Sequence, residues 1–305
     1  MRNPDDITER PLDERTAFRR IRAFLAARAT DTPGLGWDVR MWDGAWHTGA
    51  GPEVDARRRT RMRTFETADG RIAAALLSQG NEEIHPQVHP AFLHLESSLL
   101  ARGEEITQAA GETSVKVLCW EQDEARARTL TDLGYARSED AAHLYRMSLD
   151  GHVAPEAQLS PGYRLRPTRD DDADHRAVAD LLNAAFDRTR HTANEVRALQ
   201  EHAPSFRRDL DLVAETADGA VAAYAAVCWD HDNHRGIFEP ICTHPDHRRR
   251  CLQRALMTEG MRRAQALGAR SLDVSTGDAE PANALYPAVG FTERHRGWFW
   301  TKSLA

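Results

Sequence analysis

Three consecutive arginines, Arg248, Arg249 and Arg250, stand between an apolar run (Ile237, Phe238, Ile241) and a stretch where Leu252, Ala255, Leu256, Gly260, Ala264 and Leu267 recur at helical spacing. A fourth, Arg254, falls in the first turn of that helix. Guanidinium groups gathered at a helix start suit an anion, because the unpaired N–H groups and the positive end of the helix dipole already favour negative charge there. A pyrophosphate or a ribose phosphate meets that description. The glycines that usually accompany such a turn are missing from "HPDHRRRCLQRAL". The basic run is thus open to two readings, an anion site or a solvated turn with no ligand.

Two other features carry chemistry. Glu239 interrupts the apolar strand Gly236 to Thr243, beside Pro240, where a carboxylate is either a base, a partner in an ion pair or a solvent-facing group. The segment "WDHDNHR", 229 to 235, offers Trp229, Asp230 and His234 to a substrate. Its residues lack the i, i+4 spacing of a helical metal site, so we assign no metal. Cys251 lies beside arginines, but no base adjoins it to make it a nucleophile.

The elements that must position these groups occur twice. "ETADGRIAAALLS" at 66 to 78 matches "ETADGAVAAYAAV" at 215 to 227, each an apolar run at an Asp-Gly turn. "TLTDLGY" parallels "ALYPAVGF", and the tails "LYRMSL" and "WFWTKSL" close the two halves. The offset stays near 150 residues, a duplicated domain rather than a solenoid, whose period is about 20 to 50 residues. Between the copies "DGHVAPEAQLSPG" reads as a linker, which places the domains at 1–157 and 158–305. Each half reads as helix, hairpin, strand, long helix, strand, helix, strand: an α/β (α+β) order with a mixed sheet flanked by helices. Thr192-Ala-Asn-Glu195 is a capping box that starts one of the early helices of the second half.

A chain of 305 residues with 41% apolar and 29% charged residues is globular and long enough for two cores. A net charge of -7 argues against a general nucleic-acid or anionic-membrane partner, so the arginines are a local device. The polar, acidic N-terminus and the lack of a long apolar run make cytoplasm the expected location. The four cysteines, Cys119, Cys228, Cys242 and Cys251, are expected to be reduced thiols.

The second half, from about 162, resembles the GNAT superfamily of acyl-CoA-dependent N-acyltransferases. "EPICTHPDHRRRCLQRAL" and "ANALYPAVGF", about 40 residues apart with "SLDVST" between, follow that family's order of motifs. The tandem arrangement is similar to that of mycothiol synthase. The resemblance implies acetyl-CoA as acyl-donor cosubstrate, lying in a V-shaped opening between two strands. The backbones of Ile241, Cys242 and Thr243 would then meet its pantetheine. Arg248, Arg249, Arg250, Cys251, Leu252, Gln253 and Arg254 would hold its pyrophosphate, and Asn283 would also contact it. Cys251 and Gln253 replace the family's small residues. If both keep right-handed helical dihedrals, the change is one of clearance, partly offset by a donor from the Gln253 amide.

The resemblance also assigns Tyr286 as the acid that protonates the departing thiolate, with a phenol near pKa 10 well matched to a thiol, and Glu239 as the base. A core tyrosine with a satisfied hydroxyl is the alternative. The N–H of Cys242 or Thr243 would polarise the carbonyl. The first half has Leu130 in place of Tyr286 and no Lys or Arg from Ile72 to Ala101, so it reads as a copy without a site. The expected function is transfer of acetyl to a small-molecule primary amine by a monomer or homodimer. A non-catalytic CoA-binding or sensory protein is the alternative. Trp298 and Trp300 either floor a substrate pocket or pack a domain interface.

Overall fold

The computed structural model describes residues 7–12, 16–31, 36–47 and 59–304. Among the described residues the strands and helices run β1 (Thr8–Pro11), α1 (Thr16–Asp31), α2 (Val39–Trp46), β2 (Arg63–Glu66), β3 (Ile72–Gln79), β4 (Glu83–Val88), α3 (Glu96–Ala109), β5 (Ser114–Trp120), α4 (Glu124–Asp132) and β6 (Ala136–Ser148). There follow β7 (Tyr163–Pro167), α5 (Asp172–Phe186), α6 (Ala193–His202), β8 (Asp211–Thr216), β9 (Val221–Asp230), β10 (Arg235–Thr243), α7 (Leu252–Ala266), β11 (Ser271–Thr276), α8 (Glu280–Val289) and β12 (Glu293–Ser303).

The chain forms two compact units, and neither is a contiguous half. The first comprises Met1–Trp42, Gly51–His143 and His295–Ala305; the second comprises Asp43–Ala50 and Leu144–Arg294. Residue 157, the boundary expected from the linker composition, lies inside the second unit. Each unit takes its last strand from the other half of the sequence. In the first the sheet order is β1-β2-β3-β4-β5-β12, and in the second β7-β8-β9-β10-β11-β6. Both sheets are mixed, with β4–β5 and β10–β11 parallel among antiparallel neighbours.

Local chemistry explains why the copies fold alike. At the Asp-Gly turns, Gly70 and Gly219 take φ of +83° and +91°, which only glycine adopts without strain. The hydroxyls of Thr67 and Thr216 hydrogen-bond the Asp69 and Asp218 carboxylates and accept from Arg71 N (3.1 Å) and Ala220 N (2.9 Å). Helices α4 and α8 both end at a left-handed glycine, Gly134 or Gly290, with the next N–H returning to Leu130 O (2.9 Å) or Tyr286 O (3.1 Å). Helix α6 starts as its sequence predicts, the Thr192 hydroxyl accepting from Glu195 N.

In the second unit, alternate residues of β8 and β9 serve opposite faces of the sheet. Val213, Tyr224 and Ala226 pack with Val178, Leu182 and Val196 of α5 and α6, while Leu212, Ala214, Ala223 and Ala225 pack with Leu252 and Leu256 of α7. Gly260 lets α7 approach closely: a Cβ there would lie 2.9 Å from Val227 and 3.0 Å from Phe238. Among the described residues no helix is long and apolar enough to cross a membrane.

Candidate active site

Strands β10 and β11 pair over Arg235–Phe238 and Ser271–Val274 and then part. Beyond Phe238, β10 pairs with β9, Ile241, Cys242 and Thr243 lying opposite Ala225, Tyr224 and Ala223. Its register shifts between Phe238 and Ile241, a bulge holding Glu239 and Pro240, and the cis bond joins these two. A bulge re-aims a side chain, and Glu239 is half-buried here. Parting strands leave backbone on one side of the opening and the first turn of α7 at its end.

That turn carries open donors. The first bond within α7 runs from Ala255 N to Cys251 O (3.2 Å), and no side chain caps the helix, so Leu252 N, Gln253 N and Arg254 N point outward. Arg249, Arg250 and Arg254 are exposed beside them. Leu252 contributes backbone only, since its side chain is buried in the core. These residues suit a pyrophosphate, in two respects differently from the sequence expectation. Cys251 has φ +56° and Arg249 φ +58°, so the loop needs left-handed dihedrals and the missing glycine leaves backbone strain rather than a mere loss of clearance. The Gln253 amide does not face the loop: Nε2 donates to Cys242 O and to Tyr224 O (3.1 Å), tying α7 to β9 and β10.

Arg248 is partly engaged, its Nη2 donating to Ala185 O at 3.0 Å. Asn283 also differs from expectation. Its Nδ2 donates to Gly277 O (2.9 Å) and Ala279 O (3.1 Å) and its Oδ1 accepts from the Tyr145 hydroxyl (2.7 Å), so it braces the β11–α8 turn.

Tyr286 is 5% exposed and packs edge-on against Tyr145 (5.3 Å between centroids) and Phe291 (6.1 Å). Burial, reinforced by Glu239 and Tyr145, pushes its phenol well above the ordinary range, while a hydrogen bond with the Thr276 side chain acts the other way. An ordinary phenol is matched to a thiol, whereas the buried one holds its proton more firmly. Burial, with Glu239 adding, likewise pushes the Cys242 thiol up to about 12.

The structure therefore brings together Glu239, Tyr286, the open part of β10 and the α7 turn. It does not bring the 229–235 segment in as expected. Asp230 is buried and bonded to Arg235 (2.8 Å) and Asn233 (2.9 Å), and among the described residues no group of His, Cys, Asp and Glu could hold a metal ion. Trp300 packs on the first unit's core and Trp298 lies under Arg137 and Arg296 of the same unit. Tyr145 was missed. Its signal was the parallel between "LYRMSL" and "WFWTKSL", which marked a repeated strand without showing which unit receives it. An open cavity of about 600 Å³, lined by Tyr163, Arg169 and Glu215 among others, lies apart from these residues.

Residues 176–291 match the model of the acetyltransferase (GNAT) family. No curated protein matches the sequence. A GCN5-related N-acetyltransferase from Sphaerobacter thermophilus is similar in structure, with TM-score 0.66 and 19% identity over 99% of this chain and 96% of that one. A tandem GNAT protein from the clavulanic acid biosynthesis pathway gives 0.65 and 20% over 98% and 99%. Saccharomyces cerevisiae N-myristoyltransferase, with bound myristoyl-CoA, gives 0.64 and 10% over 99% and 80%. Identities this low show a shared fold.

Proposed function

We propose that the chain, whose residues 176–291 match the acetyltransferase (GNAT) family, transfers acetyl from acetyl-CoA to a primary amine of a small cytoplasmic molecule. The observation that carries this reading is the β10–β11 opening, with the α7 turn at its end and Tyr286 electrostatically coupled to Glu239. Leu252 N, Gln253 N and Arg254 N, with Arg249, Arg250 and Arg254, bind the pyrophosphate. The backbone of Ile241 to Thr243 orients the pantetheine and polarises the thioester carbonyl.

The proton balance is simple. The attacking amine loses one proton and the departing sulfur gains one. Glu239 accepts from the amine, and Tyr286 supplies the sulfur. A phenol whose pKa is raised is a poor place to leave a negative charge, so Tyr286 acts chiefly as a hydrogen-bond donor, and the proton taken by Glu239 restores any that it gives up.

The test is release of free thiol from acetyl-CoA in the presence of spermidine, kanamycin, tryptamine or lysine, with the acetylated amine identified by mass spectrometry. Amine-dependent release supports transfer. Tight acetyl-CoA binding without release for any amine would favour the non-catalytic alternative.

A further inference from the structure

We infer that Tyr145, on a strand encoded by the first half of the chain, is a positioning residue for Tyr286. The inference rests on the reading of Tyr286 as donor to the departing sulfur. From Leu144 onward β6 belongs to the second unit and lies next to β11. It is firmly held there. Arg146 grips Asp273 with two hydrogen bonds of 2.7 Å, Thr292 N donates to Arg146 O (3.1 Å), and Leu149 N donates to Arg270 O (2.8 Å). A strand fixed at three points presents Tyr145 to the site at a defined height.

Tyr145 is 2% exposed and makes two contacts that bear on Tyr286. Its ring meets that of Tyr286 at 5.3 Å and 63°, an edge-on contact that limits where the phenol can swing. Its hydroxyl donates to Asn283 Oδ1 (2.7 Å), and Asn283 in turn holds Gly277 O and Ala279 O. Asn283 lies three residues before Tyr286 on α8, so the same bond fixes the turn from which Tyr286 projects. The Tyr145 proton is directed at Asn283, and this residue acts through Tyr286 rather than on substrate.

The counterpart in the first unit supports the assignment. Counting back from the paired tails places Trp300 at Tyr145, while Leu130 stands at Tyr286 and Ala127 at Asn283. All three polar side chains are replaced together. Leu130 lies in that unit's apolar core, with Ala127 and Trp300 packed against it.

The experiment is a double-mutant cycle on the full chain, with whichever amine of the set above turns over fastest. Tyr145→Phe keeps the ring and removes the bond to Asn283. We expect kcat to fall about 10-fold with KM for acetyl-CoA nearly unchanged, since a small misplacement of a donor acts on the transition state. In a Tyr286→Phe background the same change should cost nothing further. Asn283→Ala should reproduce the loss, and acetyl-CoA affinity measured by calorimetry serves as the folding control for every variant. A drop of equal size in both backgrounds, or none in either, overturns the inference while leaving Tyr286 its role. Full activity in Tyr286→Phe, or no turnover with any amine, removes the reading beneath it and the inference with it.

Discussion

Both units contain a parallel strand pair that parts, and the residues around the two gaps differ. In the first, β4 and β5 pair at Glu83–Lys116 and Ile84–Val117 and then separate, as β10 and β11 do. Strand β4 pairs with β3 without interruption from Glu83 to Val88, so no bulge turns a carboxylate into the gap. In β10 the extra residue of the bulge provides Glu239. The helix starts differ as well. Helix α3 opens with Glu96, which is bonded to Arg126 at 2.7 Å and opposes an anion at the helix terminus, whereas the first turn of α7 has no acidic residue. A gap of about 340 Å³ remains in the first unit, lined by Gln87, Trp120 and Arg126 among others. The two units thus share the parting strand pair and differ in one inserted residue and in one helix start.

The largest test of this contrast is Tyr286→Phe against Leu130→Met. The first deletes a proton and should lower turnover by about 10²- to 10⁴-fold with acetyl-CoA affinity nearly unchanged; the second swaps side chains of similar volume and should leave turnover intact. Steady-state kinetics on both variants decide it. The pH profile sharpens the point. Because burial raises the Tyr286 phenol, its loss of a proton should limit kcat only above pH 10, the ordinary tyrosine value, and a limb at or below that pH belongs to another group.

Calorimetric titration should find one acetyl-CoA per chain. Arg249→Ala and Arg254→Ala should each weaken binding by roughly 3- to 10-fold, as expected for an exposed charge on phosphate. Two equivalent sites would erase the distinction between the units.

A smaller difference concerns the carboxylates beside the paired turns. Glu66 is bonded to Arg20 at 2.9 Å. Glu215 has Arg166, Arg164 and Arg169 around it, and although burial tends to raise its pKa, the hydrogen bonds from Arg166 and Arg164 prevail and bring it down to about 2. A carboxylate depressed in the folded state stabilises it above the unfolded pKa, 4.5, and that support disappears as pH falls toward 2. Glu215→Gln should therefore flatten the fall in Tm between pH 5 and pH 2 by roughly 4 °C. An unchanged acid limb would mean that other groups dominate.

The sequence was most legible where a backbone needs a particular residue. The Asp-Gly turns, Gly134 and Gly290, and the cap at Thr192 all have a local cause, and together they fix both copies of the fold. The order of elements around Arg248 to Arg254 located the α7 turn for the same reason. Less legible were features set by tertiary position. Strand β6 shows no local sign that its end serves the second unit, so nothing in a local window sets Tyr145 beside Tyr286. Gln253 and Asn283 were expected at the ligand because of their place in a motif. Their amides found backbone acceptors nearer, which motif spacing does not reveal. The raised phenol of Tyr286 reflects burial and Glu239, neither of which is visible in a local window.

The smallest expected effect separates the two helix starts by backbone alone. Cys251 precedes α7 at φ +56°, where its Cβ crowds the carbonyl, while Leu95 precedes α3 at φ -79° in the right-handed region. Glycine should act in opposite directions at these positions. Cys251→Gly relieves strain and should raise unfolding free energy by about 1 kcal/mol, less the greater entropy that glycine adds to the unfolded chain. Leu95→Gly relieves nothing and should lower it by about 0.5 to 1 kcal/mol. Gln253→Gly gives the control within α7, because removing its amide leaves Cys242 O and Tyr224 O without that donor and should destabilise by about 1 kcal/mol or more. Urea melts of the three variants read these signs directly. If Cys251→Gly is destabilising, the exposed thiol makes contacts that outweigh its strain. If instead stability rises and acetyl-CoA binds more tightly as well, a relaxed turn presents the N–H groups of Leu252 to Arg254 better than the strained one.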